Sequence, residues 1–494
     1  MRTCLPIVGL FLGLFSAAGA TGEIPEIFLP LDDAGAPQYS LTMGQRTGYY
    51  RVRLNTRLRS PFTPLSAVRL SLPRGVEYTV IKDKQIAHAS GSFTWVGFIE
   101  GCGNNCRVII TTRQGQAFGR ILTQDGEFLL ESHRSGTWLI DPHEAGWLSG
   151  NRSDDALAPP FTDELSPLDP ATDKRLPTFS GESLAQTQAD ASSTVDVMLL
   201  YTAGMAERYG SGLQARLDHL VDIANLAYSD SLVALTLRLV QAVQVSYSDT
   251  TSNETALYTL TDGSDAALAD VAAWRNQYGA DLVALLRPFS NASHNGCGIA
   301  WINGGGGQAL NASFGYAVVS DGDDVGGSLY YCDTYSLTHE LGHTMGSVHD
   351  RANTSNVGAY AYSYGYGVDG LFGTIMSYIR PTVGKFSNPN LNCSDSQACG
   401  IANDADNALS LNNTRTAVAG FKTIITDQLT LENTTVTEEE THVAHRTITA
   451  GAAYTVSSTG DVTLRAGERI ILQPWFRVQM GGRFRAEIDS SLIP

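Results

Sequence analysis

The chain has 494 residues, too many for one hydrophobic core, so about two to four domains are expected. Its formal net charge of −17 excludes a general affinity for nucleic acid or anionic membrane and fits a solvated, exported protein. No run after the N-terminus approaches the roughly 18–20 apolar residues needed to span a bilayer.

Residues 1–20 read as a secretory signal. Arg2 gives a positive start, Leu5 to Phe15 an apolar core, and Ala18-Gly19-Ala20 a small-residue cleavage site. Cleavage there removes Cys4 and leaves six of the seven cysteines in an oxidising compartment. Cys102 with Cys106, Cys297 with Cys332 and Cys393 with Cys399 is the expected pairing, because each pair falls within one expected domain.

Residues 21–150 carry alternating strand patterns, such as Phe93 to Ile99, Arg107 to Thr112 and Phe128 to Glu131, with turns at Gly115 and Asp125-Gly126. A small antiparallel β domain is expected. From 151 to 190 the pattern dissolves into Pro, Ser, Thr and Asp, the composition of an exposed linker, with Lys174-Arg175 as a candidate cleavage point. Order returns with a strand at Val195 to Tyr201, a helix at Leu213 to Leu226, a strand at Leu237 to Val245, a helix at Asp265 to Gln277 and a strand at Asp281 to Leu286. That alternation predicts an α/β (α+β) domain with a mainly parallel sheet over about 191–425. In the tail, 426–494, helical periodicity vanishes. Ala450-Gly451, Ala466-Gly467 and Gly481-Gly482 recur at intervals of fifteen to sixteen residues, which reads as coils of a small β-solenoid or β-roll.

One stretch carries chemistry. His339-Glu340-Leu341-Gly342-His343 puts two imidazoles i and i+4 on one helical face, with a carboxylate on its flank. Gly346 follows where a helix stops in a left-handed residue, and the returning chain delivers His349. Three protein ligands leave a fourth position open, which separates catalytic from structural zinc. Chance would give this extended pattern on the order of once in a million such chains.

HExxHxxGxxH followed by Gly373-Thr374-Ile375-Met376-Ser377-Tyr378 resembles the metzincin zinc endopeptidases. The resemblance implies one catalytic zinc ion on His339, His343 and His349, Glu340 as general base for the attacking water, and Met376 as an apolar floor under the ligands. Asp350 resembles the reprolysin/adamalysin branch, where the acid buttresses the site from behind. Tyr378 resembles astacins and serralysins, where it approaches the metal. The segments Cys297 to Trp301, Gly304 to Gly307 and Ala317 to Ser320 resemble the rim of such sites, where an edge strand pairs with extended substrate. The implied protein is a secreted, reprolysin-like peptidase of bacterial type that hydrolyses internal bonds of proteins or peptides. It would be made as a zymogen with residues 21–150 as propeptide. Cys102 or Cys106 could reach the open zinc position as a thiolate, or close a disulfide; Asp141 and His143 are further candidates. Nothing in the sequence argues for Ca2+. The tail resembles sorting or cell-surface modules. The rivals are a noncatalytic binding or adhesion protein, against which the intact Glu340 speaks, and a zinc amidase or esterase.

Overall fold

The computed structural model describes residues 24–29, 31, 47–59, 66–133, 136–149, 155–160, 192–394, 396–422 and 426–492. The expected signal segment 1–20 and Lys174-Arg175 lie outside them.

Nine strands open the chain: β1 (Phe28–Leu29), β2 (Tyr49–Leu54), β3 (Ala67–Ser71), β4 (Glu77–Ala87), β5 (Phe93–Ile99), β6 (Arg107–Arg113), β7 (Gln116–Thr123), β8 (Gly126–His133) and β9 (Gly136–Ile140). They form one antiparallel sheet in the order β1-β2-β9-β8-β7-β6-β5-β4-β3. Side chains alternate across a strand, so β6 sends Val108 and Ile110 into the sheet's own core and Ile109 and Thr111 to the other face.

That other face is not solvated. It packs on α2 (Leu213–Asp230), the second helix of the next domain. One side of α2 buries Leu217, Leu220 and Ala224 under the catalytic sheet. The opposite side carries Ile223 and Leu226 against Val96 and Ile109, interleaved with polar pairs. Ser90 donates to Asp218 at 2.6 Å, Thr94 to Asp222 at 2.5 Å, and Arg107 to Asp230 at 2.7 Å. Buried carboxylates need such partners. Phe118 of β7 joins the catalytic domain's own apolar cluster beside Tyr209.

The chain then crosses over. β10 (Leu148–Ser149) and β11 (Ala156–Leu157) leave the N-terminal sheet and join the catalytic one. The remaining strands are β12 (Ser193–Thr202), β13 (Leu235–Val245), β14 (Leu282–Pro288), β15 (Gly298–Trp301), β16 (Tyr316–Asp323) and β17 (Tyr330–Cys332). β13, β12, β14 and β16 are mutually parallel; β15 and β17 run antiparallel to β16. With α1 (Ala203–Tyr209), α2 and α5 (Ser336–Thr344) on one face, and α3 (Asn253–Asp262) and α4 (Val271–Tyr278) on the other, three layers result. Short hairpins β18 (Gly367–Val368) with β19 (Phe372–Gly373) and β20 (Asn392–Ser394) with β21 (Gln397–Ala398) precede α6 (Asn407–Val418).

Four expectations need correction. The segment from 151 is not all exposed linker, because Asp155 to Leu157 are ordered along β15 and Ala156 is buried. The helix expected over 265–277 is shorter, α4 from Val271, and an earlier helix was missed: α3, started by Ser252 accepting from the Thr255 amide and ended by left-handed Gly263. Three threonines and a thin stripe of Ala256, Leu257 and Leu260 hid α3. Ala317 to Ser320 lie inside the sheet rather than on the rim; β15 alone is the rim strand there. In the tail, β24 (Glu439–Ala450) pairs in parallel with β26 (Asp461–Ala466), and β26 with β29 (Arg483–Ile488), after β22 (Thr426–Leu431), β23 (Thr435–Val436), β25 (Thr455–Val456), β27 (Arg469–Leu472) and β28 (Arg477–Val478) are counted in order. Residue 439 faces 461 and 461 faces 483, a step of 22, so the glycine spacing of fifteen to sixteen marks turns and not the repeat.

The catalytic layers are pinned by one buried charge group. Asp321 accepts from Arg216 at 3.0 and 2.6 Å and from Tyr209 at 2.6 Å, and both Arg216 and Asp321 are within 2% of complete burial. Asp321→Asn should cost about 3–5 kcal/mol by stranding Arg216. A fall in thermal midpoint with unchanged secondary structure is expected in circular dichroism.

Candidate active site

Helix α5 places His339 and His343 one turn apart, and just past its end Gly346, with a φ of +89°, reverses the chain. A Cβ at 346 would meet the Asn303 carbonyl at 3.0 Å, so glycine is needed for space as well as for φ. The turn returns His349 to the same point. The three Nε2 atoms stand 3.0, 3.1 and 3.2 Å from one another.

Their second nitrogens explain what this triangle is for. His339 Nδ1 donates to the Ile375 carbonyl at 2.7 Å and His343 Nδ1 to the Ser347 carbonyl at 2.8 Å. Each neutral ring then has its proton on Nδ1 and aims a lone pair from Nε2 at the centre. Converging lone pairs repel unless a cation lies between them. Ligands of a tetrahedral zinc ion at about 2.0–2.1 Å stand roughly 3.3–3.4 Å apart, close to the observed edges. The residues fit zinc.

The sequence did not lead to the fourth group. The Asp155 carboxylate lies 2.6 Å from His349 Nε2 and 3.5 Å from both His339 and His343. Together they form a three-histidine, one-aspartate cluster within 4.8 Å. Tyr378 donates to the same Asp155 oxygen at 2.9 Å, and its hydroxyl is 3.2 Å from His349 Nε2. Imidazoles hold Asp155 well below the usual carboxylate range against the desolvation that would raise it. Asp155 was hidden because its neighbours have linker composition; the signal available was the pair Asp154-Asp155 before the apolar Ala156-Leu157.

Glu340 stands beside the cluster, 1% exposed, with Oε2 lacking a hydrogen-bond partner. Burial, and then the charge of Asp155, pushes it well above the usual range. It fits there because residue 298 has no side chain: a Cβ on Gly298 would collide with the Glu340 carboxylate. Met376 is buried, and its Sδ packs on α5 where a Cβ on Gly342 would come within 2.8 Å. Asp350 accepts from Ser377 Oγ at 2.9 Å and from the Tyr378 amide at 3.2 Å, tying the third-histidine turn to the Met376 segment.

The other latency candidates are elsewhere. Cys102 and Cys106 are joined in a disulfide, as are Cys297 with Cys332 and Cys393 with Cys399. Asp141 holds Arg74 and the Glu144 amide. His143 has no place among the residues around the cluster. Gly298→Ala should shift Glu340 and cost at least tenfold in any activity that uses it, while the histidines keep their metal. Metal content by atomic absorption beside turnover checks both halves.

Residues 191–405 match the M12B reprolysin-like metallo-peptidase family. Similar curated proteins are peptidyl-Asp metalloendopeptidases of Pseudomonas aeruginosa (32% identical over 273 residues, 49% of this chain and 42% of that one) and Stenotrophomonas maltophilia (30% over 249 residues, 48% and 55%). A third is that of Xanthomonas campestris (29% over 254 residues, 50% and 56%). The chain spans about half the length of these relatives. Metalloproteinase-II from Bacteroides fragilis superposes with a TM-score of 0.41 at 11% identity, over 70% of this chain and 90% of that one. Nothing is concluded from so distant a likeness. The three histidines lie within the stretch, residues 191–405, that matches the reprolysin-like M12B metallopeptidases.

Proposed function

We propose that the chain is an exported zinc endopeptidase made in latent form, and that Asp155 keeps it latent. The observation that carries this reading is a carboxylate from outside the family-matched residues aimed into the three-histidine cluster. It arrives on a strand bonded to the rim: the Ala300 amide donates to the Asp155 carbonyl at 3.1 Å and the Ile302 amide to the Leu157 carbonyl at 2.8 Å. Those are the donors an extended substrate would use. Asp155 thus covers the metal position and its strand covers the peptide position.

Once that strand departs, the residues have clear tasks. Zinc, when bound, supplies Lewis acidity toward a carbonyl oxygen and a water of lowered pKa. Glu340 takes the water's proton and returns it to the leaving amine, its buried Oε2 being without another partner. Tyr378 offers its hydroxyl to the oxygen that gains negative charge, as it now offers it to Asp155. The β15 backbone aligns the chain to be cut. The relatives' shared description as peptidyl-Asp enzymes supports bonds beside aspartate as the substrate class. Export is supported by the expected signal segment and by the disulfides.

Two variants of the full chain test this. Glu340→Gln should bind one zinc per chain and lose about 10²–10⁴-fold in turnover of a peptide library read by mass spectrometry. A variant at wild-type rate removes Glu340 as base. Asp155→Ala should shorten or abolish the lag before activity appears, and raise the initial rate of unprocessed protein by about tenfold or more. An unchanged lag would remove Asp155 from the latency mechanism.

A further inference from the structure

Next to the histidine cluster, between α5 and the segment after Met376, a small cleft is lined by Asp333, Tyr335, Ser336, His339, Tyr378 and Arg380, among others. Among its described lining residues Arg380 is the one Lys or Arg. Its side chain is 38% exposed. A guanidinium carries five donors in a fixed fork. Here they are thinly used: Nη2 donates to Ser149 Oγ at 3.0 Å, and Nη1 stands 3.5 Å from Asp333 Oδ2. Asp333 has other work, since its Oδ1 accepts from the Tyr335 amide at 3.0 Å at the start of α5.

What the N-terminal sheet brings to this cleft is informative. Arg120 of β7 lies 3.9 Å from Asp333 and pairs with Glu127 of β8 at 2.6 Å. Arg120, Glu127 and Ser149 all come from outside the family-matched residues. When those residues leave, Asp333 loses Arg120, and Arg380 loses Ser149. Arg380 is left as the cleft's cation with an open edge toward the cutting site.

We propose that Arg380 is the specificity-determining residue, pairing with the carboxylate of an acidic side chain adjacent to the scissile bond. The inference rests on the endopeptidase reading above. A planar guanidinium matches a carboxylate through two parallel hydrogen bonds, a contact an isosteric amide cannot copy in charge.

The test uses full-length protein after its own processing and two matched peptides, differing only as Asp or Asn at the cleaved bond. The wild-type kcat/KM ratio, Asp over Asn, is expected to be about tenfold or more. Arg380→Met should bring it to about one, and Arg380→Lys should restore part of it, since Lys keeps the charge without the fork. A ratio unchanged in Arg380→Met overturns the proposal, as does a wild-type ratio near one. Wild-type protein that cuts neither peptide, nor any member of a mixed library, overturns the endopeptidase reading instead. Should Arg380→Met fail to accumulate, the wild-type ratio is followed from about 0.01 M to about 1 M salt, over which the screening length falls from ~30 to ~3 Å. A ratio that shrinks with salt supports an ion-pair contact; a flat ratio overturns it.

Discussion

Everything at the centre depends on where two ring protons go. The Ile375 and Ser347 carbonyls each take an Nδ1 proton, and that choice turns both Nε2 lone pairs inward. Neither carbonyl is incidental. Ser347 lies in the turn that Gly346 permits, and Ile375 immediately precedes Met376, whose side chain packs on α5 at Gly342. Asp350 then ties the two segments together through Ser377 and the Tyr378 amide. Helix, glycine turn and Met376 loop form one closed assembly, in which each part fixes the tautomer or direction of another.

Small residues make this assembly possible. Gly298 leaves room for the Glu340 carboxylate, Gly342 for the Met376 sulfur, and Gly346 for the Asn303 carbonyl. At Gly346 the backbone conformation also favours glycine; at the other two only volume matters. A buried carboxylate with a free oxygen is costly and survives where the surroundings are rigid enough to hold it. Glu340, between α5 and β15, meets that description.

The centre was legible because its information is local. Spacing along one helix and one turn puts His339, Glu340, His343 and His349 together whatever the rest of the chain does. The alternation that gave β12, α2, β13 and β14 is local too, and element bounds fell within a few residues. Three kinds of information were not local. Asp155 reaches the cluster only because the strand after it pairs with β15, a contact spanning more than a hundred residues that composition cannot encode. The polar side of α2 reads as solvated until an antiparallel sheet with matching Ser, Thr and Arg is laid on it. In the tail, turns repeat more often than strands stack, so the visible glycines report the shorter interval.

If the latent form proposed above is processed, the clasp between the N-terminal sheet and α2 would set the order of events in release. A cut anywhere in 161–191 leaves Asp155 on the fragment that carries β1 to β11. That fragment keeps Phe118 in the catalytic core, Arg107 on Asp230 and Thr94 on Asp222. On the latency proposed above, severing the backbone would not free the centre, because these contacts would hold the nicked molecule together as two chains. The clock of this protein would then be set by how fast one fragment escapes or is digested, rather than by the scissors that separate it.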